Sequence, residues 1–213
     1  MTQIIIPIQS NLDDQEWYLG ALRNTTFLFM GSHGVESNGA WTGFRFPVTA
    51  ALAAINPNTI NSVVLRVSAH TSASMRSFVR VEPGNAPAWA NTVQNRPRER
   101  YQTISSTGQI AWVDTFTSPL WYDSPDLKAL VIPALHNLVQ NNHLGVIVGT
   151  NQNATMQVVQ ILSFDHVSVD TEPRLVINHT PASRWFDGTS EETGNLTWFN
   201  GTTEETGFVE HAT

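Results

Sequence analysis

Two stretches decide the fold class, Val-Val-Leu-Arg-Val at 63–67 and Phe-Val-Arg-Val at 78–81. In both, one set of alternate positions is apolar and the other includes an arginine. Successive side chains of a strand point to opposite faces, so this alternation is typical of a strand with one buried and one wetted face. The pattern predicts antiparallel sheets that pack one face into a core.

Further runs rich in β-branched and aromatic residues, bounded by turn residues, are also predicted to be strands. Together with the two stretches above they make nine: Thr2–Ile8, Thr26–Met30, Trp41–Pro47, Ser62–Ala69, Ser77–Glu82, Ile110–Phe116, Leu144–Gly149, Gln157–Phe164 and Arg174–Asn178. This number of short strands predicts an all-β fold, an antiparallel β-sandwich with Greek-key connections. Trp89, Trp112 and Trp121 lie beside loops or strand ends, where we expect most tryptophans to fill corners of the core.

One segment, Ser124–Gln140, breaks the β pattern and predicts a helix that packs on the sandwich. Ser124 suits the N-cap, Pro125 the first helical position and Asp126 the positive end of the helix dipole. Pro133 should kink the helix or split it. The apolar stripe at helical spacing consists of Leu127, Leu130, Val131, Leu135 and Leu138.

The order of several segments resembles a known family. These segments are Ile60–Val67, Trp89, Asn95–Pro97, Ser124–Leu127, Leu144–Val148, Ile161–His166 and Glu172–Ile177. The chain from Ile60 to Asn178 is similar to the DNRLRE-type jelly-roll modules, which occur in bacterial surface and carbohydrate-binding proteins and in structural proteins of tailed bacteriophages. The resemblance implies a jelly roll, and its helix start is similar to that of the phage proteins.

Composition limits the class of protein. With 213 residues, 41% of them hydrophobic, the chain can bury a core as one large domain with an appendage. We expect a jelly-roll domain over 1–180 and an acidic arm over 181–213. The chain has no cysteine and no run long enough to cross a bilayer, and Met1–Ile8 is unlike a signal peptide. We therefore expect folding in the cytoplasm and no membrane partner.

The charge of −7 is concentrated in the tail. Residues 181–213 hold six acidic side chains against one arginine, so the body is close to neutral. The one basic cluster of the body is Arg-Pro-Arg-Glu-Arg at 96–100, which is too small for a nucleic-acid face. We expect no nucleic-acid partner, and we interpret this cluster as a solvated loop or as a rim that contacts an acidic partner.

The tail contains a duplicated unit. Trp-Phe-Asp-Gly-Thr-Ser-Glu-Glu-Thr-Gly at 185–194 is followed thirteen positions later by Trp-Phe-Asn-Gly-Thr-Thr-Glu-Glu-Thr-Gly at 198–207. The Asp-Gly and Asn-Gly dipeptides are typical of tight hairpin turns, so the tail predicts a small β-meander of two hairpins. Its predicted strands are Arg184–Phe186, Thr189–Glu192, Asn195–Phe199 and Thr202–Glu205. A disordered acidic terminus is the competing interpretation.

A meander of this size has too little core to stand alone, so we expect it to pack on another chain. The predicted partner-binding residues are Trp185, Phe186, Trp198 and Phe199. Burial of each would contribute on the order of 2 kcal/mol.

No catalytic motif is found in the sequence. The seven histidines are scattered singly, without metal-ligand spacing: His33, His70, His136, His143, His166, His179 and His211. Asp13, Asp14 and Glu16 offer oxygen ligands for calcium, and a solvated loop is the alternative that we favour. We expect no enzyme activity, no metal and no cofactor.

Three functions compete on this basis. The favoured one is a structural virion protein of a tailed bacteriophage, assembled in the host cytoplasm: a capsid decoration, head fibre or tail-associated subunit. Its partners would be other virion proteins, and we expect a homo-oligomer. The second is a carbohydrate-binding or adhesion module with a host glycan as partner. The third is a polysaccharide-active enzyme, which requires two carboxylates to face each other among Asp114, Asp123, Asp126 and Asp165.

Overall fold

The computed structural model describes residues 1–18, 21–23, 25–32, 40–105, 108–150, 157–166 and 170–181. In the tail it describes the backbone of 184–186, 191–193, 196–199 and 204–207. In chain order, the strands before the tail are β1 (Thr2–Pro7), β2 (Asp14–Tyr18), β3 (Ala21–Arg23), β4 (Phe27–Ser32), β5 (Trp41–Pro47), β6 (Ile60–Ser68), β7 (Ala73–Asn85), β8 (Gln109–Phe116), β9 (Trp121–Asp123), β10 (His143–Gly149), β11 (Gln157–Leu162) and β12 (Arg174–His179).

The nine predicted strands are confirmed with shifted ends, and β2, β3 and β9 are additional. A four-stranded sheet has the order β1-β12-β6-β9, and a six-stranded sheet has the order β3-β2-β5-β10-β7-β8. Strands β4 and β11 form a separate antiparallel pair, which we call the β4–β11 ribbon. The pairings within all three sheets are antiparallel, so the all-β sandwich is confirmed.

The main core lies between the two large sheets. In the four-stranded sheet, Ile6, Leu175 and Leu65 pair across β1, β12 and β6 and are nearly fully buried. Phe44 and Val146 form a corresponding buried pair across β5 and β10 of the six-stranded sheet. These rows belong to one cluster of buried residues. The apolar positions that alternate along the sequence are therefore those that pack in the core.

The described residues form three short α-helices, α1 (Ala50–Ala53), α2 (Pro97–Thr103) and α3 (Lys128–Leu135), with 3₁₀ turns at Pro57–Thr59 and Val93–Asn95. Only α3 was predicted. It is shorter than the predicted Ser124–Gln140, and it continues through Pro133. Its apolar stripe is buried in the main core as predicted, except that Leu130 is only partly buried.

The predicted cap of α3 at Ser124 is wrong. The Ser124 hydroxyl oxygen accepts the backbone N–H of Leu65 at 3.0 Å. Asp126 Oδ1 accepts the N–H of Val63 at 2.9 Å and also the N–H of Lys128, where the helix begins. The segment before the helix is therefore hydrogen-bonded to strand β6. The Ser124 side chain that the sequence predicts as the helix cap makes this contact with β6 instead.

A second group of buried residues, four of the five aromatic, lies on the opposite face of the six-stranded sheet. We call it the outer core; it consists of Trp17, Trp41, Trp89, Tyr101 and Ile147. Residues 86–104, which connect β7 toward β8 and include α2, cover it; we call them the strap. The described part of the chain has no helix long and apolar enough to span a membrane.

Candidate functional site: the duplicated hairpins and the surfaces of the sandwich

The duplicated tail forms two backbone hairpins. The first pairs β13 (Arg184–Phe186) with β14 (Glu191–Thr193), and the second pairs β15 (Leu196–Phe199) with β16 (Glu204–Gly207). In the described part of the tail they are separate two-stranded sheets, so the two predicted hairpins are present and no pairing joins them into one meander. The predicted turns at 187–188 and 200–201 lie outside the described residues.

The two hairpins share one register. Trp185 pairs with Glu192 and Phe186 with Glu191. Thirteen positions later the same partners recur, Trp198 with Glu205 and Phe199 with Glu204. The sequence repeat is therefore also a repeat of cross-strand pairs, and each predicted partner-binding residue is in a strand, directly opposite a glutamate. The side chains of these four aromatic residues lie outside what the structure describes.

The acidic group near the N-terminus is not the solvated loop that the sequence suggested. Asp13, Asp14 and Glu16 are all buried, and the last two belong to strand β2. Asp13 forms a 2.6 Å ion pair with Arg45 of β5. Within the described residues, no group of three or more acidic or histidine side chains is arranged to hold a metal ion.

The basic cluster at 96–100 is part of the strap rather than a solvated loop. Arg96 lies 4.3 Å from the ring centroid of Trp17, and Arg100 lies 3.7 Å from that of Trp89. Arg100 also forms a buried ion pair with Glu82 and donates to the Pro87 carbonyl at 2.8 Å. Arg96 through Trp17 and Arg100 through Glu82 hold the strap onto the six-stranded sheet, and the contacts of Arg100 with Trp89 and Pro87 lie within the strap.

Sequence reasoning missed the outer core, although glycines mark it. A side chain at Gly43 would clash with the ring of Trp89, and one at Gly149 would clash with the ring of Trp41. Glycines inside strands often mark a close approach, so these positions carry a usable signal. The aromatic rings that occupy the space could not be assigned to it without the fold.

The described histidines show no common site. His70 stacks on Phe27 with ring centroids 3.9 Å apart, and His166 packs against the same ring at 5.7 Å. Burial and the nearby Arg45 lower the pKa of His143. His33 and His211 lie outside the described residues.

Three of the four aspartates named as alternative catalytic groups have local roles. Asp123 pairs with Arg66 at 2.6 Å, and Asp114 Oδ1 accepts the N–H of Thr115. Asp126 binds the backbone of Val63, as described above. Each of these three carboxylates thus accepts a hydrogen bond from its own strand, from a neighbouring strand or from the start of α3.

A cavity of about 470 Å³ lies between α3, the end of β7 and the segment after α2. Its walls are largely aliphatic and include Leu130 and Ile104. The polar side chains that line it are Glu82, Thr103, Ser105 and Asn137. The Thr103 hydroxyl donates to the Arg100 carbonyl at 2.8 Å. Glu82 pairs with Arg100, and the Asn137 amide donates to the carbonyls of Pro83 and Pro133.

One tryptophan faces solvent on the four-stranded sheet. Trp89 and Trp112 are buried as expected, whereas Trp121 of β9 is 39% exposed. The guanidinium group of Arg174 lies 5.2 Å from its ring centroid. Trp121 therefore offers an aromatic surface beside charged groups at the edge of the sheet.

Neither a family model nor a curated protein matches this chain.

Proposed function

We propose that the protein is a structural subunit of a virion, without enzyme activity, which attaches to a repeated protein lattice through its duplicated tail. The sequence resemblance suggests a tailed bacteriophage, in which the protein would be a capsid decoration, a head fibre or a tail-associated subunit. The observation that carries the proposal is the shared register of the two hairpins. A partner that presents the same site at regular intervals would use both hairpins at once.

The order of strands supports a jelly roll as the outward-facing domain. Eight strands are divided between the two large sheets: β1, β6, β9 and β12 in one, and β5, β7, β8 and β10 in the other. Along the chain each of these strands is followed by one in the other sheet, except that β7 is followed by β8 in the same sheet. Two interleaved Greek keys produce such an arrangement. We propose that the remaining strands are additions to this jelly roll.

The tail indicates the chemistry of its partner. It carries six acidic residues against one arginine, and its register places a glutamate opposite each aromatic residue. Aromatic rings beside carboxylates favour cationic side chains. We therefore propose a basic partner surface, with binding that weakens as salt concentration rises.

Two linked hairpins gain from bivalency. Once the first hairpin is bound, the second binds at the high effective concentration set by the short connection between them. Weak contacts repeated in this way give firm attachment to a lattice and little affinity for a single isolated site.

The test is the mass of the purified protein by light scattering, for the full chain and for the full chain with Trp185, Phe186, Trp198 and Phe199 all changed to alanine. We expect an oligomer for the first and a folded monomer for the second. A chain that ends at Thr180 should behave like the variant, because β1 pairs with β12 and closes the sheet at Thr2 and His179. Unchanged assembly by both would refute the role of the tail, and a full chain that is itself a monomer would place the partner of the tail on a different protein.

A second candidate is a carbohydrate-binding or adhesion module, favoured by the exposure of Trp121. Sugars stack on exposed aromatic rings, and neighbouring polar groups set their orientation. Titration with glucose, galactose and N-acetylglucosamine, followed by tryptophan fluorescence, tests this candidate. A response that the Trp121→Ala variant abolishes would support glycan binding over lattice attachment.

A further inference from the structure

Two carboxyl groups of strand β2 point into the sandwich. Asp14 lies opposite Phe44 of β5 and Glu16 lies opposite Thr42, so both are on the face of β2 that meets the main core. Both residues have no exposed surface. Acidic side chains are almost never buried to this extent without a partner of opposite charge.

Each carboxyl group binds the backbone of a different neighbouring segment. Asp14 Oδ2 accepts the N–H of Phe164, just beyond β11, at 2.7 Å. Glu16 Oε2 accepts the N–H of Phe29, in β4, at 2.5 Å. The other oxygens, Asp14 Oδ1 and Glu16 Oε1, are buried without a hydrogen-bond partner. The pair thus connects β2 to β4 and to the residue that follows β11, and one oxygen of each carboxyl group has no hydrogen-bond partner.

The charges around the pair do not compensate it fully. Asp13 is held by Arg45 of β5, and Asp165 adds negative charge near Asp14. Arg23 of β3 is the cation that acts on Glu16. The other titratable or charged groups nearby are Tyr18 on β2, and Arg96 of the strap, which lies over Trp17 on the opposite face. His70 and His166 both pack on Phe27 of β4. Strand β4 carries no ionisable side chain.

We propose that Asp14 and Glu16 form a pH-sensitive clasp between β2 and the β4–β11 ribbon, tight while both carboxyls hold a proton and loosened when they ionise. A buried neutral carboxyl with an unused oxygen costs far less free energy than a buried carboxylate in the same place. Its carbonyl oxygen still accepts the backbone N–H. Ionisation leaves two negative charges between the sheets, and opening of the ribbon relieves them.

Burial is the main cause of the shift in both pKa values. It raises the pKa of Asp14 from 3.8 to about 7, opposed by the hydrogen bond from Phe164. It raises the pKa of Glu16 from 4.5 to about 7, opposed by the hydrogen bond from Phe29. Since the folded state binds protons that the unfolded state has released, the stabilisation is complete below about pH 4 and is lost as the pH rises toward 7.

The first test follows the two amide protons that the clasp binds. In NMR spectra of the full chain, the Phe29 and Phe164 amide resonances should shift with pH, with midpoints near pH 7. Asp14→Asn should abolish the shift of Phe164 and keep that of Phe29, and Glu16→Gln should do the reverse. Midpoints near pH 4, or amides that do not respond, would overturn the proposal.

The second test compares urea unfolding at pH 5 and pH 8. The unfolding constant of the wild-type protein should rise over this interval by roughly tenfold to a hundredfold for each ionising carboxyl. Each single variant should remove its share of that rise. Asp170→Asn is the matched control, because its side chain is 89% exposed and asparagine tolerates its positive φ. If the clasp variants keep the full wild-type rise, the proposal fails; a variant that does not fold leaves the wild-type amide titration as the deciding result.

Discussion

The ring of Trp89 lies directly over Gly43, so that a Cβ atom at Gly43 would stand 2.7 Å from Trp89 Cε2. The indole nitrogen of the same ring donates to the Asp13 carbonyl at 3.3 Å. Trp89 thereby joins the strap, strand β5 and the start of β2. The outer core depends on the absence of side chains at Gly43 and Gly149 of the six-stranded sheet.

Gly43→Ala should destabilise the protein by about 1–3 kcal/mol, because the added methyl group displaces the ring of Trp89. Urea unfolding followed by tryptophan fluorescence measures the change. Gly84→Ala is the control, since a Cβ at Gly84 meets nothing within 4 Å. Equal losses for the two variants would show that the close approach of Trp89 is not the cause.

The buried ion pair of the strap gives a second prediction. Arg100→Met keeps an unbranched side chain over Trp89 and leaves Glu82 buried without its cation. The expected loss is about 3–5 kcal/mol. Arg66→Met breaks the more exposed pair with Asp123 and should cost about 0–1 kcal/mol. In the double variant Arg100→Met with Glu82→Gln, part of the loss should be recovered; no recovery would mean that the loss comes from packing alone.

The strands that could be predicted are those in which apolar residues mark the buried face. The stretches 63–67 and 78–81 alternate because each has one face in the core or its rim, and both are confirmed as parts of β6 and β7. Strand β2 reads Asp-Gln-Glu-Trp-Tyr and gives no such signal, because its acidic side chains point inward and its Trp17 packs on the outer face. That inversion follows from long-range contacts to Phe29, Phe164 and the strap.

The candidate site divides in the same way. Repetition within the tail is visible in the sequence, and the structure adds the common register of the hairpins. The cation–π contacts of the arginines at 96–100 could not be predicted, because the rings they cover come from β2, β5 and the strap itself. Short helix α2 carries a recognisable start in Pro97 at its first turn, but it is too brief for a periodic pattern.

The anchor of the segment before α3 gives a third prediction. Asp126→Ala removes the acceptor for the N–H groups of Val63 and Lys128 and should cost about 1–3 kcal/mol. Asp126→Asn retains an acceptor oxygen and should cost less. Thermal unfolding of the two variants decides the matter, and a loss as large for asparagine as for alanine would contradict this role of Asp126 Oδ1.

The duplicated hairpins give the last prediction, which rests on the proposed function. Because Trp185 and Trp198 occupy equivalent register positions, the two double variants Trp185→Ala/Phe186→Ala and Trp198→Ala/Phe199→Ala should weaken assembly equally. Each removes two aromatic side chains whose burial contributes on the order of 2 kcal/mol apiece, so each should raise the concentration for half-assembly at least tenfold. Light scattering over a dilution series measures that concentration.

Assembly through two equivalent hairpins also fixes how the variants combine. If both hairpins bind at once, each double variant also removes the advantage that its intact hairpin gains from a bound neighbour. The concentration for half-assembly of the quadruple variant should then rise by at least the product of the two separate fold-increases. Glu191→Gln with Glu204→Gln is the matched electrostatic variant, which should reduce the salt dependence while leaving the aromatic residues in place. If one of the two double variants assembles like the wild-type protein, only one copy of the repeat contacts the partner, and bivalent attachment would then be wrong.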